Sequence, residues 1–139
     1  MAGNAAPIWT RVGDIQWNTA PIATANTTTD LTSGTSYLIF TADATNGGYL
    51  QKLRFRPLGT NIATVARIWI NNGSDIATAD NNTLWDEISL AVTTVSQTTA
   101  LSIYEIPVNV ALPPGYRIYV TVGTTVAAGY DCIAIAGKY

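Results

Sequence analysis

Two alternating runs joined by Pro113-Pro114-Gly115 constrain this chain more than any other feature. Tyr104, Ile106, Val108, Val110 and Leu112 share one parity before the break, and Tyr116, Ile118, Val120 and Val122 share one after it. A period of two held this long gives each run one apolar face, which a helix cannot do. Proline cannot donate to a ladder and glycine accepts positive φ, so the trio ends one strand and turns the chain into the next. The spacing predicts a β-hairpin over Ser102–Gly123, with Ile106 and Val120 as core residues of paired strands.

The remainder repeats the pattern. Thr35–Thr41 reads as a strand apolar enough to be covered on both faces. Over Tyr49–Pro57, Tyr49, Leu53 and Phe55 face one way and Lys52, Arg54 and Arg56 the other. Ala63–Asn71 sets Ala66, Ile68 and Ile70 against Val65, Arg67 and Trp69. Leu84, Ile88 and Leu90 mark a further strand, and Ala128–Ala136 the last. Only Ala77–Asp86 leaves room for a short helix. Strands at this spacing, without helical periodicity, predict an all-β protein: an antiparallel β-sandwich of jelly-roll-like form. At 139 residues it is one domain that buries roughly two-thirds of its unfolded surface.

Residues 1–34 differ. Pro7, Pro21 and a polar Asn26–Asp30 run predict an extended N-terminal arm, followed by a β-sandwich domain over 35–139. Trp9 and Trp17 interrupt its polarity. They either pack back on the domain's own core or dock on a neighbouring subunit, where Trp is enriched at energetic centres.

Charge is scarce, at 12% of residues with a net −2, and threonine occurs 21 times. Threonine's branched Cβ suits a pleat and its hydroxyl tolerates water. A surface so poor in charge suits a chain that sits against other protein. The acidic balance argues against nucleic acid, which demands a basic excess. No run approaches the roughly 20 apolar residues of a membrane span, so no membrane partner is expected. The N-terminus lacks the basic and apolar regions of a signal peptide, which predicts synthesis in the cytoplasm.

Candidate chemistry is thin. The chain has no histidine and one cysteine, Cys132, which removes His-based catalysis and thiolate metal sites and leaves an inert structural thiol. Asp75, Asp80, Asp86 and Glu87 could offer oxygens to Ca²⁺, yet such residues also build turns, and their spacing fits no EF-hand. No catalytic residue, cofactor or metal is expected, and the chain reads as a non-enzyme.

The patterned charge is Lys52, Arg54 and Arg56, successively about 6.5–7 Å apart on one strand face. Either a carboxylate from the next strand lies between them, or they form a basic ridge for an acidic partner. Arg67 beside Trp69 and Arg117 beside Tyr119 repeat a cation-with-aromatic pattern that suits an interface or a shallow glycan-binding face. The candidate interface residues are therefore Trp9, Trp17, Lys52, Arg54, Arg56, Arg67 and Trp69.

The block Thr41-Ala42-Asp43-Ala44-Thr45-Asn46-Gly47-Gly48-Tyr49-Leu50-Gln51-Lys52-Leu53-Arg54-Phe55, continuing through Leu58–Asn61 to Arg67-Ile68, resembles small virion structural proteins of tailed bacteriophages. Trp85–Ile88 and Leu112–Val120 fit the same likeness, which spans about residues 35–137. The resemblance implies a capsid decoration (cement) protein on the capsid exterior. Its expected partner is the major capsid protein, and a homotrimer is the favoured homo-oligomer. The alternative it implies is a fibre or tail-tip module that binds host surface glycan.

Overall fold

The computed structural model describes residues 10–139, and Trp9 lies outside them. The described chain is a sandwich of two antiparallel sheets, with about half of its residues in strands and no α-helix. In order the strands are β1 (Val12–Gly13), β2 (Gln16–Trp17), β3 (Tyr37–Thr41), β4 (Gly48–Pro57), β5 (Thr64–Asn71), β6 (Asn82–Leu90), β7 (Tyr104–Leu112), β8 (Arg117–Val122) and β9 (Tyr130–Lys138). Sheet A runs β1-β9-β4-β7, with β2 also on β9, and sheet B runs β3-β8-β5-β6. With β1 and β2 taken as one interrupted edge strand, this is the jelly-roll order. The Ala77–Asp86 stretch holds one 3₁₀ turn, Ala79–Asn81, and then enters β6.

The alternation in β7 and β8 is real, but the hairpin is not. β7 pairs with β4 in sheet A and β8 with β3 and β5 in sheet B. Pro113–Tyr116 is therefore an arch between sheets, closed by a 3.2 Å bond from Tyr116 N to Pro113 O. Both apolar faces point inward because each strand belongs to one of the two sheets that enclose the core. Ile106 lies opposite Leu53 and Val120 opposite Ile68, and all four are buried.

Bulges explain where simple parity misleads. Ile39 is an extra residue in β3 opposite β8, so Ile39 and Phe40 both enter the core while Leu38 is exposed. The strand is not covered on both faces. In β4, Gln51 is extra relative to β9, which puts Leu50 in the core and Tyr49 on the outside. In β6 the extra residue is Trp85, so Leu84 and Ile88 lie on opposite faces.

Residues 10–34 lie along the sandwich. β1 and β2 extend sheet A, and Ile22 is a fully buried core residue bonded through its backbone to Tyr130. The Gln16 amide crosses to sheet B, donating to Thr41 O and accepting from Thr41 N. Beyond Ile22 the chain reaches sheet B, where Ala25 bridges Val122. Asn26 is buried there, and its amide holds Ser33 O and Thr35 O while its oxygen accepts from Thr28.

Candidate contact face

Antiparallel partners share a sheet face, so register decides which side chains meet. Across sheet A, Trp17 pairs with Ile133, Ile133 with Arg54, and Arg54 with Glu105. The neighbouring row is Ile135, Lys52 and Pro107. The next sets Asp131 opposite Arg56. All these side chains point outward, because Cys132, Ala134, Leu53 and Phe55 between them are buried. Trp17 is 61% exposed at one margin of the face. Four of the seven candidate interface residues, Trp17, Lys52, Arg54 and Arg56, thus come together from two strands distant in sequence.

Glu105 on β7 ties two of the cations. Its Oε2 is 3.0 Å from Lys52 Nζ and its Oε1 is 2.6 Å from Arg54 Nη2. Hydrogen bonds from Lys52 and then Arg54 lower its carboxyl below the ordinary 4.5. Exposed pairs of this kind add little to stability but hold long side chains in one arrangement. Arg56 is exposed and makes no ion pair among the described residues. The carboxylate facing it across the ladder, Asp131, accepts a 3.3 Å bond from Asn18. The face therefore combines a half-neutralised cation pair, an unpaired guanidinium, branched aliphatics and an exposed indole.

Arg67 and Trp69 sit on the opposite side of the sandwich, on the outer face of sheet B. Trp69 is only 2% exposed, so it cannot serve as a contact residue. Its Nε1 donates to Thr121 Oγ1 at 3.0 Å, and Thr27–Thr29 line the same small cleft of about 200 Å³. The strap of residues after Asn26 thus covers an outer-face tryptophan that strand parity places in water. Arg67 Nε donates to Glu87 Oε1 at 2.7 Å, while its Nη1 is buried without a partner among the described residues.

In the acidic group at 75–87, Asp75 and Asp80 lie in the β5–β6 connection, whereas Asp86 and Glu87 lie in β6. Asp75 Oδ1 accepts from Ala77 N and its carbonyl from Asn81 Nδ2, Asp86 Oδ1 accepts from Glu87 N, and Glu87 is held by Arg67. Among the described residues no three His, Cys, Asp or Glu converge as metal ligands. Cys132 is fully buried, and burial raises its thiol well above the ordinary value.

Sequence reasoning passed over the residues that fix the loops: four buried asparagines. Asn18 accepts from Cys132 N and donates to Tyr130 O, locking β2 to β9. Asn61 accepts from Ala128 N and Gly129 N and donates to Gly129 O. Asn71 donates to Asn82 Oδ1 and accepts from Gly73 N. Asn26 closes the strap. Asn has both donor and acceptor on a short stem, so one side chain can replace a missing backbone partner on each side. The chain matches no family model and no curated protein.

Proposed function

We propose that this protein is a virion structural protein, a capsid decoration (cement) protein that holds neighbouring capsid subunits together without chemistry. The observation that supports the reading best is the outer face of sheet A, where Trp17 and Ile133 share a row with Arg54, beside Lys52 and Arg56. Its contact partner on the shell is a surface of the major capsid protein that is acidic around an apolar pocket. The indole supplies apolar area at low entropic cost, and the cations set orientation and encounter rate. Ligands that bind only the assembled shell stabilise it by mass action, so decoration raises capsid resistance in proportion to occupancy.

The test is addition of purified protein to undecorated capsids, read by co-sedimentation and by the temperature of shell disruption. Trp17→Ala and Arg56→Glu should each weaken decoration by about tenfold or more, the size expected for an aromatic anchor or a desolvated charge. Both variants decorating and stabilising shells like the parent would overturn the reading. Loss of glycan binding in the same variants, with capsid binding absent throughout, would replace it with a fibre or tail-tip role.

A further inference from the structure

We infer that residues 27–34 form a strap over the outer face of sheet B that opens as a unit while the sandwich stays folded, uncovering Trp69 beside Arg67. The strap leaves β8 at Asn26, whose N–H donates to Val122 O, and returns to the same side of β8 at Tyr37, opposite Val120. In between it crosses β8 and β5, since Thr27–Thr29 line one cleft with Trp69 of β5 and with Leu84 and Glu87 of β6. Its two limbs meet at the base, where the Asn26 amide donates to Ser33 O and Thr35 O. A compact loop clasped at its base keeps its shape through its own contacts.

The strap is held weakly. Among the described residues no hydrogen bond joins Thr27, Thr28 or Thr29 to sheet B; Thr28 bonds only to Asn26 and Ser33. A cleft of about 200 Å³ lies beneath them, so their contact with Trp69 is incomplete. At the far end, Asn82 Nδ2 donates to Asp30 O at 3.1 Å. That amide has two protons for three acceptors, with Ile76 O nearer at 2.8 Å and Thr78 O at 3.4 Å. Release of Asp30 therefore leaves no donor orphaned.

Leu31 is the pin, and it is strained. Its side chain is buried, yet its φ of 65° lies in the left-handed region that a Cβ disfavours. Opening relieves that strain and gives up the burial of Leu31 and Trp69, neither of which belongs to the cluster between the sheets. An opening that spares the core costs less than global unfolding. Gly34 supplies the hinge at φ 78°, where a Cβ would stand 2.8 Å from the Asn26 amide. The open state alone presents an indole beside a guanidinium on this side of the sandwich, with Leu31 carried out on the strap.

Thiol labelling of the intact protein tests this, with the buried Cys132 as a built-in reference for global unfolding. Thr121 lies on the stretch of β8 that the strap crosses, is buried, and accepts the Trp69 indole bond. In Thr121→Cys, the thiol introduced at position 121 should react at least about 100-fold faster than Cys132 without denaturant. Low urea should leave that rate flat while the rate of Cys132 climbs, because a local opening exposes little surface. Adding Leu31→Ala should speed position 121 by about tenfold or more, the size expected for losing a buried leucine, and leave Cys132 unchanged. The same contrast with Cys132 is expected in Leu31→Cys, which keeps Thr121 and Trp69 intact. Cooperative urea unfolding followed by circular dichroism confirms that each variant is folded. An introduced thiol that reacts in step with Cys132 in either protein overturns the inference. So does a rate at position 121 indifferent to Leu31→Ala, or an equal acceleration at positions 121 and 132.

Discussion

The Gln16 side-chain amide and the Thr41 peptide exchange two hydrogen bonds, each 2.9 Å long. One residue of sheet A thereby acts as a strand partner for the edge of sheet B and closes one side of the sandwich. Gln16→Ala leaves a part-buried peptide N–H and C=O without these partners. A loss of about 1–3 kcal/mol is expected in urea unfolding, the usual penalty for abandoned polar groups. A midpoint unchanged in Gln16→Ala would show that the amide only decorates the edge.

Asn61 carries a heavier burden, because it serves two loops at once. Replacing it with Ala removes the acceptor for Ala128 N and Gly129 N, and a cost of about 2–5 kcal/mol is expected from two orphaned donors. Asn61→Asp keeps the acceptor but turns a carboxylate toward Gly59 O and Gly129 O, so it should rescue only part of the loss. Thermal unfolding of the three proteins side by side gives the order directly.

Cys132 should be silent in the native state. The thiolate is the reactive form, and burial both hides the sulfur and raises its pKa. A thiol reagent at neutral pH should label it only after addition of denaturant, with a midpoint that coincides with loss of β-sheet circular dichroism. Rapid labelling of folded protein would place this strand in a much looser environment.

Glu105 gives the pH prediction. Its folded pKa is depressed, so its contribution is present above the ordinary 4.5 and is lost as pH falls through the lower folded value. Glu105→Gln should therefore narrow its deficit against the parent as solutions are acidified below that range. At neutral pH the same variant releases Lys52 and Arg54 from their shared partner, so it should bind acidic surfaces faster and with a steeper salt dependence. Melting temperature against pH and stopped-flow association against salt check the two halves.

Much of the sandwich was legible because Ile106, Val108, Ile118 and Val120 obey a period of two, and that period reports burial whichever strand lies alongside. It carries no information on partners, which is why two consecutive strands in different sheets read as a hairpin. Nor does it see single-residue insertions. Ile39, Gln51 and Trp85 each displace parity by one, and no composition cue distinguishes them from ordinary strand residues. The contact face was half legible. Lys52, Arg54 and Arg56 share a face by their spacing alone, but Trp17 and Ile133 join them only through the pairing of β2 with β9. Trp69 shows the converse, since local parity cannot reveal that Thr27–Thr29 fold over it.

The strand order has a consequence for how this protein is made. Among the described residues only β5 and β6 pair as neighbours in the chain; every other ladder joins strands separated by at least one other. Closing loops that long before any contact rewards them makes folding slow, on the order of milliseconds to seconds for such topologies. β9 occupies the middle of sheet A, between β4 and the β1–β2 edge, yet it comes last among the strands. Until it emerges, β4 has one bare flank and the earliest strands have no ladder to join. A nascent chain halted before Tyr130 holds β4 and β7 but lacks the strand that joins them to β1 and β2, so sheet A closes only when β9 is added.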